Sequence, residues 1–171
     1  LGRSEKIAQK PFLETVKDIM LSDTRVIFHW TGREEPKLIT EYFKKFALSQ
    51  RIRFHGWVQP YEYLNQLDLY LDTFPFGTGE TFVLAGLMGI PLVAMNSPFE
   101  ANFTNLMNTS HDSFKFICMT PKEYLFKVNN LLNSIDQFSP QLLSSYFEEL
   151  FTPESLTCSK QTAMFSKQLD L

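Results

Sequence analysis

One segment of the sequence, residues 67–95, constrains the fold more than any other. A largely apolar run, Leu69–Phe74, leads into a turn rich in glycine and threonine and then into a short apolar segment. A Gly89-Ile90-Pro91 break follows, and a second apolar run, Leu92–Met95, completes the segment. Short apolar runs bounded by turn residues are typical of strands buried on both faces. The segment therefore predicts a strand, a helix and a second strand of a parallel α/β sheet.

The turn that joins the first strand to the helix, Phe74–Thr81, has the composition of an anion site. Its glycines allow backbone N–H groups to approach a ligand closely. The N–H groups of the first helical turn have no partners within the helix, and the helix dipole is positive at that end. These donors favour phosphate, so we expect a nucleotide or a nucleotide sugar to bind at this turn.

The rest of the chain continues the alternation of strands and helices. Strands are predicted at Arg25–Trp30, Arg51–Val58, Leu69–Phe74, Leu92–Met95 and Phe114–Met119. Helices are predicted at Ser4–Leu21, Glu34–Phe46, Tyr61–Gln66, Thr81–Met88, Lys122–Ser134, Pro140–Phe151 and Pro153–Leu169. This order predicts one Rossmann-like α/β domain over residues 1–171, with a parallel sheet covered by helices on both faces. Ligands of such a sheet bind at the carboxyl ends of its strands.

Composition excludes several classes of function. Hydrophobic residues make up 44% of the 171 residues, which is enough for a packed core. The net charge is −3 without any basic run, and this argues against nucleic acid as a partner. No apolar stretch has the length of a membrane span, and no secretory signal is recognisable. Cys118 and Cys158 suit neither a disulfide framework nor a zinc site. We expect a cytoplasmic domain and, because the sequence begins with Leu1, a piece of a longer protein.

The turn and the break after its helix resemble those of a known family. The run Phe74-Pro75-Phe76-Gly77-Thr78-Gly79-Glu80-Thr81 resembles the diphosphate-binding turn of GT-B glycosyltransferases, and Gly89-Ile90-Pro91 matches the family's Gly-x-Pro. The resemblance is strongest to the bacterial cytoplasmic N-glycosyltransferases of adhesins and to O-GlcNAc transferase (glycosyltransferase family 41). The order of elements from Ile7 to about Met119 is similar to the C-terminal, donor-binding half of these enzymes. The resemblance implies a UDP-sugar donor and a preceding N-terminal GT-B domain.

The resemblance implies roles for residues at the turn and near the start of the chain. Thr81 matches a threonine that bonds the donor diphosphate, and Thr78 and Gly79 supply the surrounding turn. Lys6 matches a lysine that neutralises the leaving diphosphate, a role that Arg3 could share, since a fixed cation stabilises the charge that grows on the leaving oxygen. Alternatively, Thr81 only caps a helix, and the two basic residues are merely exposed.

Two further loops receive weaker assignments from the resemblance. The residues Val58, Gln59, Pro60 and Tyr61 match a loop that contacts the nucleotide base, mostly through backbone groups. Glu100 and Asn102 follow the strand that ends at Met95, in a loop that approaches the donor sugar in GT-B folds. His29 and His55 lie within predicted strands, and packing is a more ordinary role for them than catalysis.

The sequence departs from the family at two positions. Family members place an aspartate that binds the ribose hydroxyls three residues after the position of Thr81, and this chain has Leu84 there. Glu80 puts a carboxylate beside the expected diphosphate. Either Glu80 has taken over ribose or sugar recognition, or the donor site has been lost.

The resemblance as a whole implies a glycosyltransferase that inverts the anomeric centre, uses no metal and needs no cofactor besides its UDP-sugar substrate. The acceptor would be a protein or a glycan. We expect the isolated fragment to be nearly inactive, because another domain would complete the site. The alternative is a non-catalytic binding or scaffolding domain that has kept the fold and lost the donor site.

Overall fold

Helices and strands alternate through the part of the chain that the computed structural model describes, residues 4–77, 79–96 and 116–151. The helices are α1 (Ser4–Ile7), α2 (Lys10–Ser22), α3 (Lys37–Lys44), α4 (Pro60–Leu64), α5 (Glu80–Leu87), α6 (Pro121–Asn133) and α7 (Pro140–Leu150). The strands are β1 (Phe28–Trp30), β2 (Ile52–Phe54), β3 (Tyr70–Leu71), β4 (Leu92–Met95) and β5 (Ile117–Cys118). Short 3₁₀ turns occupy Ser49–Arg51 and Ile135–Gln137.

All strand pairs among the described residues are parallel, which confirms the predicted fold class. β1 pairs with β2, while β3, β4 and β5 form a separate three-stranded sheet with β4 at its centre. All four residues of β4 are buried, as expected for a strand covered on both faces. The strands thus form two parallel sheets where the sequence suggested one, because β1 and β3 are separated by a cleft.

The predicted first helix differs from the observed one. In place of a single helix over Ser4–Leu21, the chain forms α1 and α2 with a break at residues 8 and 9. Pro11 lies in the first turn of α2. Proline is tolerated there because its missing N–H would have no helical partner, whereas it would interrupt a continuous helix. The prediction of one helix is therefore wrong.

The other described elements lie at or near their predicted positions. β4 matches its predicted bounds, and α5, α6 and α7 lie within one or two residues of theirs. β1, β2 and β3 are shorter than predicted. The residues after β3, Asp72–Phe74, are buried without strand pairing, whereas Ile27 before β1 and Trp57 after β2 are exposed. Residues 114 and 115, which begin the predicted fifth strand, lie outside the described part of the chain. The predicted helix Pro153–Leu169 lies outside the described residues.

An aromatic cluster joins α2 and α6 around the residue that begins the glycine-rich turn. Phe12 of α2 packs edge-on against Phe74, with 5.4 Å between the ring centroids, and Phe74 in turn contacts Tyr124 of α6 at 5.2 Å. All three side chains are buried. The residue that begins the glycine-rich turn is therefore anchored in the core.

A glycine allows α5 and α7 to pack closely. A Cβ atom added at Gly86 would overlap the ring of Phe147, far inside van der Waals contact. Gly89 ends the same helix with φ +70°, a conformation that L side chains rarely adopt. The close contact at Gly86 and the backbone conformation of Gly89 fix the C-terminal part of α5, and the N-terminus of this helix faces the candidate site.

A cluster of one tyrosine and two histidines lies where α4 packs on the first sheet. The Nδ1 atom of His29 lies 3.0 Å from Nε2 of His55 and 2.9 Å from the hydroxyl of Tyr63. Burial is the main reason why the pKa of His29 is lowered, and the nearby His55 is the next. Burial is also the main reason why the pKa of His55 is lowered, and the positive charge of Arg53 is the next. His29 is half-buried and His55 is exposed, so the cluster lies at the surface of the first sheet.

We predict that stability decreases as the pH falls below about 6.5. The unfolded histidines have a pKa near 6.5, while the folded ones titrate lower, so the unfolded state binds protons that the folded state excludes. The histidine contribution is therefore complete above pH 6.5 and is lost as the pH falls through the folded pKa values. Urea unfolding from pH 7.5 to 5 measures this slope, and the double variant H29Q/H55Q should have a shallower one.

His111 is present in both the unsubstituted protein and the H29Q/H55Q variant, so it does not affect the difference between their slopes. Asp23, whose pKa is lowered to about 2 by its hydrogen bonds with Arg25, affects stability only at more acidic pH. An equal slope in the two proteins would contradict the prediction.

Candidate functional site

Helix α1 connects the loops that follow β1 and β3 at the carboxyl edge of the strands. The hydroxyl of Ser4 donates a hydrogen bond of 3.0 Å to the carbonyl oxygen of Glu34, in the loop after β1. The ammonium group of Lys6 donates to the carbonyl oxygen of Gly77, in the turn after β3. A Cβ atom at position 32 would overlap the Ser4 hydroxyl, so only Gly32 allows this approach. The structure thus places Lys6 against the glycine-rich turn.

The turn between β3 and α5 is internally bonded. The hydroxyl of Thr73 donates to the carbonyl of Phe76 at 2.5 Å, and the Phe74–Pro75 peptide bond is cis. Gly79 has φ +59° and ψ −110°, a combination that requires glycine. Its carbonyl oxygen accepts from the N–H groups of Phe82 (3.0 Å) and Val83 (3.3 Å). The turn therefore ends at Gly79, the N-cap residue of α5, which has no side chain to cap the helix.

The N-terminus of α5 offers backbone donors to an anion. Because Gly79 has no side chain, no side-chain oxygen from the N-cap satisfies the first N–H groups of the helix. Glu80, the first helical residue, is exposed, and Thr81 is half-buried. With Lys6 on the neighbouring Gly77, a cation and a helix N-terminus meet at one turn. A lysine ammonium group and the backbone N–H groups of a helix N-terminus are groups that can hydrogen-bond a phosphate.

Tyr124 ties the end of β3 to β4 beneath this turn, and the sequence analysis did not identify it. Its hydroxyl donates to the carbonyl of Asp72 at 2.9 Å and lies 3.2 Å from the carbonyl of Val93. Complete burial raises the pKa of Tyr124 well above its ordinary value, so the hydroxyl stays protonated and remains a donor. The sequence shows only an apolar position of α6 and gives no signal for these two acceptors.

The loop predicted to contact a base lies at the start of α4. Gln59 is exposed and precedes the helix, Pro60 is its first residue, and Val58 is half-buried. Tyr61 is 64% exposed, and the neighbouring Trp57, which the sequence analysis did not single out, is 68% exposed. Helix α4 packs against α5, so this loop lies on the α5 side of the molecule.

Leu84 occupies the position at which the resembling family places its ribose-binding aspartate. It lies in the middle of α5, is half-buried and packs against the apolar cluster that includes Phe82 and Phe147. The departure seen in the sequence is therefore also a packing residue. Four of the predicted site residues lie outside the described part of the chain: Arg3, Thr78, Glu100 and Asn102.

Other chemistry finds little support in the described ranges. Within them, no group of three or more histidine, cysteine, aspartate or glutamate side chains could hold a metal ion. Cys118 is buried, and burial raises the pKa of its thiol to about 11, which disfavours the reactive thiolate. None of the described helices is long and apolar enough to cross a membrane.

Comparison with known proteins gives a structural likeness only. No family model matches the sequence, and no curated protein does. Among solved structures, the chain is similar to a lysine-to-methionine mutant of Thermobaculum terrenum O-GlcNAc transferase, with a TM-score of 0.68 and 15% identity. That match covers 92% of this chain and 32% of the transferase.

A second similar structure is a glycine-to-arginine mutant of S. aureus TarM, in complex with fondaparinux, α-GlcNAc-glycerol and UDP. Its TM-score is 0.61 at 15% identity, and the match covers 93% of this chain and 31% of TarM. The chain thus spans about a third of the length of each solved structure. In the region that it spans, this chain has a GT-B glycosyltransferase fold.

Proposed function

We propose that this chain is the donor-binding part of a glycosyltransferase and binds the diphosphate of a UDP-sugar between α1 and α5. The observation that supports it most is the contact of the Lys6 ammonium with the Gly77 carbonyl, because it brings together residues 71 positions apart at a helix N-terminus. The fold shared with two glycosyltransferases, one of them solved with UDP, supports the same reading.

The chemistry of the turn is consistent with this role. A phosphate oxygen is a stronger partner for an ammonium group than a neutral carbonyl, so a bound diphosphate would compete for the Lys6 donors. The helix N-terminus of α5 would contribute backbone N–H groups and its dipole. Lys6 and the helix can both stabilise the charge on departing UDP, so we also propose that transfer needs no divalent metal.

The remaining assignments follow the resemblance. Thr81 would bond the diphosphate, Val58–Tyr61 would lie along the base, and Glu80 would hold ribose or sugar hydroxyls in place of the aspartate missing at Leu84. By the same resemblance, the sugar would pass with inversion to a protein or glycan acceptor, which a separate domain of the full-length protein would help to bind.

One observation favours a different function, a non-catalytic binding domain. Leu84 packs in an apolar cluster, so the ribose-binding carboxylate of the family has no equivalent at this position. The exposed Glu80 would also repel a diphosphate unless it turned away. The two functions differ in whether UDP binds at all.

Calorimetric titration of the full-length protein with UDP tests the proposed function. We expect saturable binding of UDP at least about tenfold tighter than binding of uridine, because the site recognises the diphosphate. Heat signals that do not saturate at millimolar UDP would contradict the proposal and favour the non-catalytic domain. Titration with uridine is the matched control for contacts made by the base and ribose alone.

Substitution of Lys6 separates binding from catalysis. We predict that Lys6→Ala in the full-length protein lowers kcat by about a hundredfold or more and weakens UDP binding less, because the charge matters most when the leaving oxygen becomes negative. Lys6→Arg should retain more activity than Lys6→Ala. Lys10→Ala, at an exposed lysine paired with Glu14, is the control. Equal losses of binding and rate would assign Lys6 to uniform binding instead.

The sign of one further substitution decides the role of Glu80. If its carboxylate binds ribose or sugar hydroxyls, Glu80→Gln should weaken UDP-sugar binding by up to about tenfold, equivalent to about 1.4 kcal/mol. We expect this weakening, measured by calorimetry against Glu62→Gln, an exposed glutamate of α4. Tighter binding would show that Glu80 only repels the diphosphate.

A further inference from the structure

Two imidazole rings and a phenol hydroxyl converge at the surface of the first sheet. In the register of β1 and β2, His29 lies opposite Arg53, and His55 follows two residues later, so these side chains fall on one face of the sheet. Helix α4 brings the hydroxyl of Tyr63 to 2.9 Å from the Nδ1 atom of His29. The Nε2 atom of His55 lies 3.0 Å from the same nitrogen. His29, His55 and Tyr63 are called the histidine cluster below.

The two imidazole rings of the cluster meet through their nitrogen atoms. Their planes are 7° apart, and their centroids are separated by 5.0 Å. This separation is close to the distance between the two nitrogens plus the radii of both rings. The rings therefore lie side by side with nitrogen facing nitrogen, and their lone pairs are directed into the space between them.

Hydrogen bonds alone satisfy this arrangement incompletely. The Nδ1 atom of His29 carries either one hydrogen or one lone pair, yet it faces two partners. If it is protonated, it can donate one linear bond, to His55 or to Tyr63. If it is unprotonated, its single lone pair cannot accept two linear bonds. A cation placed between the three atoms would instead engage one lone pair on each of them.

The spacing of the three atoms indicates which class of metal ion fits. Imidazole nitrogens bind zinc at about 2.0–2.1 Å, and other divalent ions of the late first transition row at similar distances. Two ligands at that distance are about 2.9 Å apart at a right angle and about 3.3 Å apart at a tetrahedral angle. The observed 3.0 and 2.9 Å match the right angle. Square-planar and tetragonal sites of nitrogen and oxygen are typical of copper(II) and nickel(II).

The protonation states of the cluster suit such an ion. The pKa values of His29 and His55 are lowered, mainly by burial, so both rings are neutral near pH 7 and each has a lone pair for a metal. Burial raises the pKa of Tyr63 to about 12, so its oxygen is a weaker ligand than the imidazoles. The charge of Arg53 opposes a cation at His29, and that of Asp68 favours one.

The cluster is accessible to an ion from solvent. His55 is exposed, and His29 lines the cleft between β1 and β3, which has a volume of about 330 Å³. Asp68 lines the same cleft. Within the described ranges, no third histidine, cysteine or carboxylate completes a metal-binding group. The hydroxyl of Tyr63 is therefore the third ligand that the described residues offer.

We propose that His29, His55 and Tyr63 form a binding site for a divalent metal ion of tetragonal geometry, copper(II) or nickel(II). The two imidazole nitrogens are the principal ligands, the Tyr63 hydroxyl is the third, and water completes the coordination. None of these three residues is assigned to the UDP-sugar, so the metal site does not rest on the proposed function.

Calorimetric titration of the full-length protein with Cu²⁺ near pH 7 tests the site. We expect H29Q and H55Q each to weaken the binding of one Cu²⁺ ion at least about tenfold, because each removes an imidazole ligand. Y63F should weaken it less, since a neutral hydroxyl is the weaker ligand. H111Q, which removes a histidine that is not part of the cluster, is the matched control. Equal Cu²⁺ binding by the unsubstituted protein, H29Q and H55Q, or equal weakening by H111Q, would overturn the proposal.

Electron paramagnetic resonance of the Cu²⁺ complex identifies the ligands in the unsubstituted protein and so does not depend on the folding of a variant. We expect a tetragonal spectrum with hyperfine coupling to two imidazole nitrogens, because the cluster supplies two rings. H55Q, checked for its fold by circular dichroism, should lose the coupling to one of them. A spectrum without nitrogen coupling, or one that H55Q leaves unchanged, would overturn the assignment.

Discussion

The end of β3 is held by side chains from two distant helices, and the geometry of the candidate site depends on this anchoring. The hydroxyl of Tyr124 in α6 donates to the carbonyl of Asp72, directly after β3, and lies 3.2 Å from the carbonyl of Val93 within β4, so it ties the end of β3 to β4. Phe74 follows at once and is enclosed by Phe12 and Tyr124. The Val93 carbonyl also accepts from the N–H of Asp72 at 2.9 Å, so removing the Tyr124 hydroxyl would remove a partner mainly from the Asp72 carbonyl, and an unsatisfied buried acceptor costs about 1–3 kcal/mol. The glycine-rich turn therefore begins from a rigid point.

Chemistry at the turn comes from backbone geometry more than from side chains. Gly79 adopts a conformation that requires glycine and caps α5 without a side chain, which leaves the helix N-terminus open to a ligand. Close packing at Gly86 against Phe147 fixes the opposite part of the helix. Lys6 then supplies the charge, from a helix that is itself held by Ser4. The candidate site thus combines α1 with the glycine-rich turn and α5, which lie about seventy residues further along the chain.

The departures from the resembling family bear on the same helix. By the resemblance, Thr81 matches the position of the diphosphate-binding threonine, and Leu84, at the position of the ribose-binding aspartate, packs against the apolar cluster of α5 and its neighbours. An aspartate at position 84 would bury part of a charged group against this apolar cluster unless the surrounding side chains moved. If this chain binds the donor, another group must recognise the ribose. Glu80 is exposed at the N-terminus of α5, next to the glycine-rich turn.

Local patterns in the sequence determined the alternation of elements, the parallel class of the sheet and the glycine-rich turn, because each depends on burial and backbone freedom within a few residues. β4 was predicted to the residue, since both of its faces are buried and Gly-Ile-Pro precedes it. The break between α1 and α2 was missed, although Pro11 marks it, because the apolar spacing continues across it. Tertiary structure alone decided the contact between Lys6 and Gly77, the acceptors of Tyr124 and the cleft between β1 and β3. These features depend on which distant segments meet, and no periodicity along the chain records such a meeting.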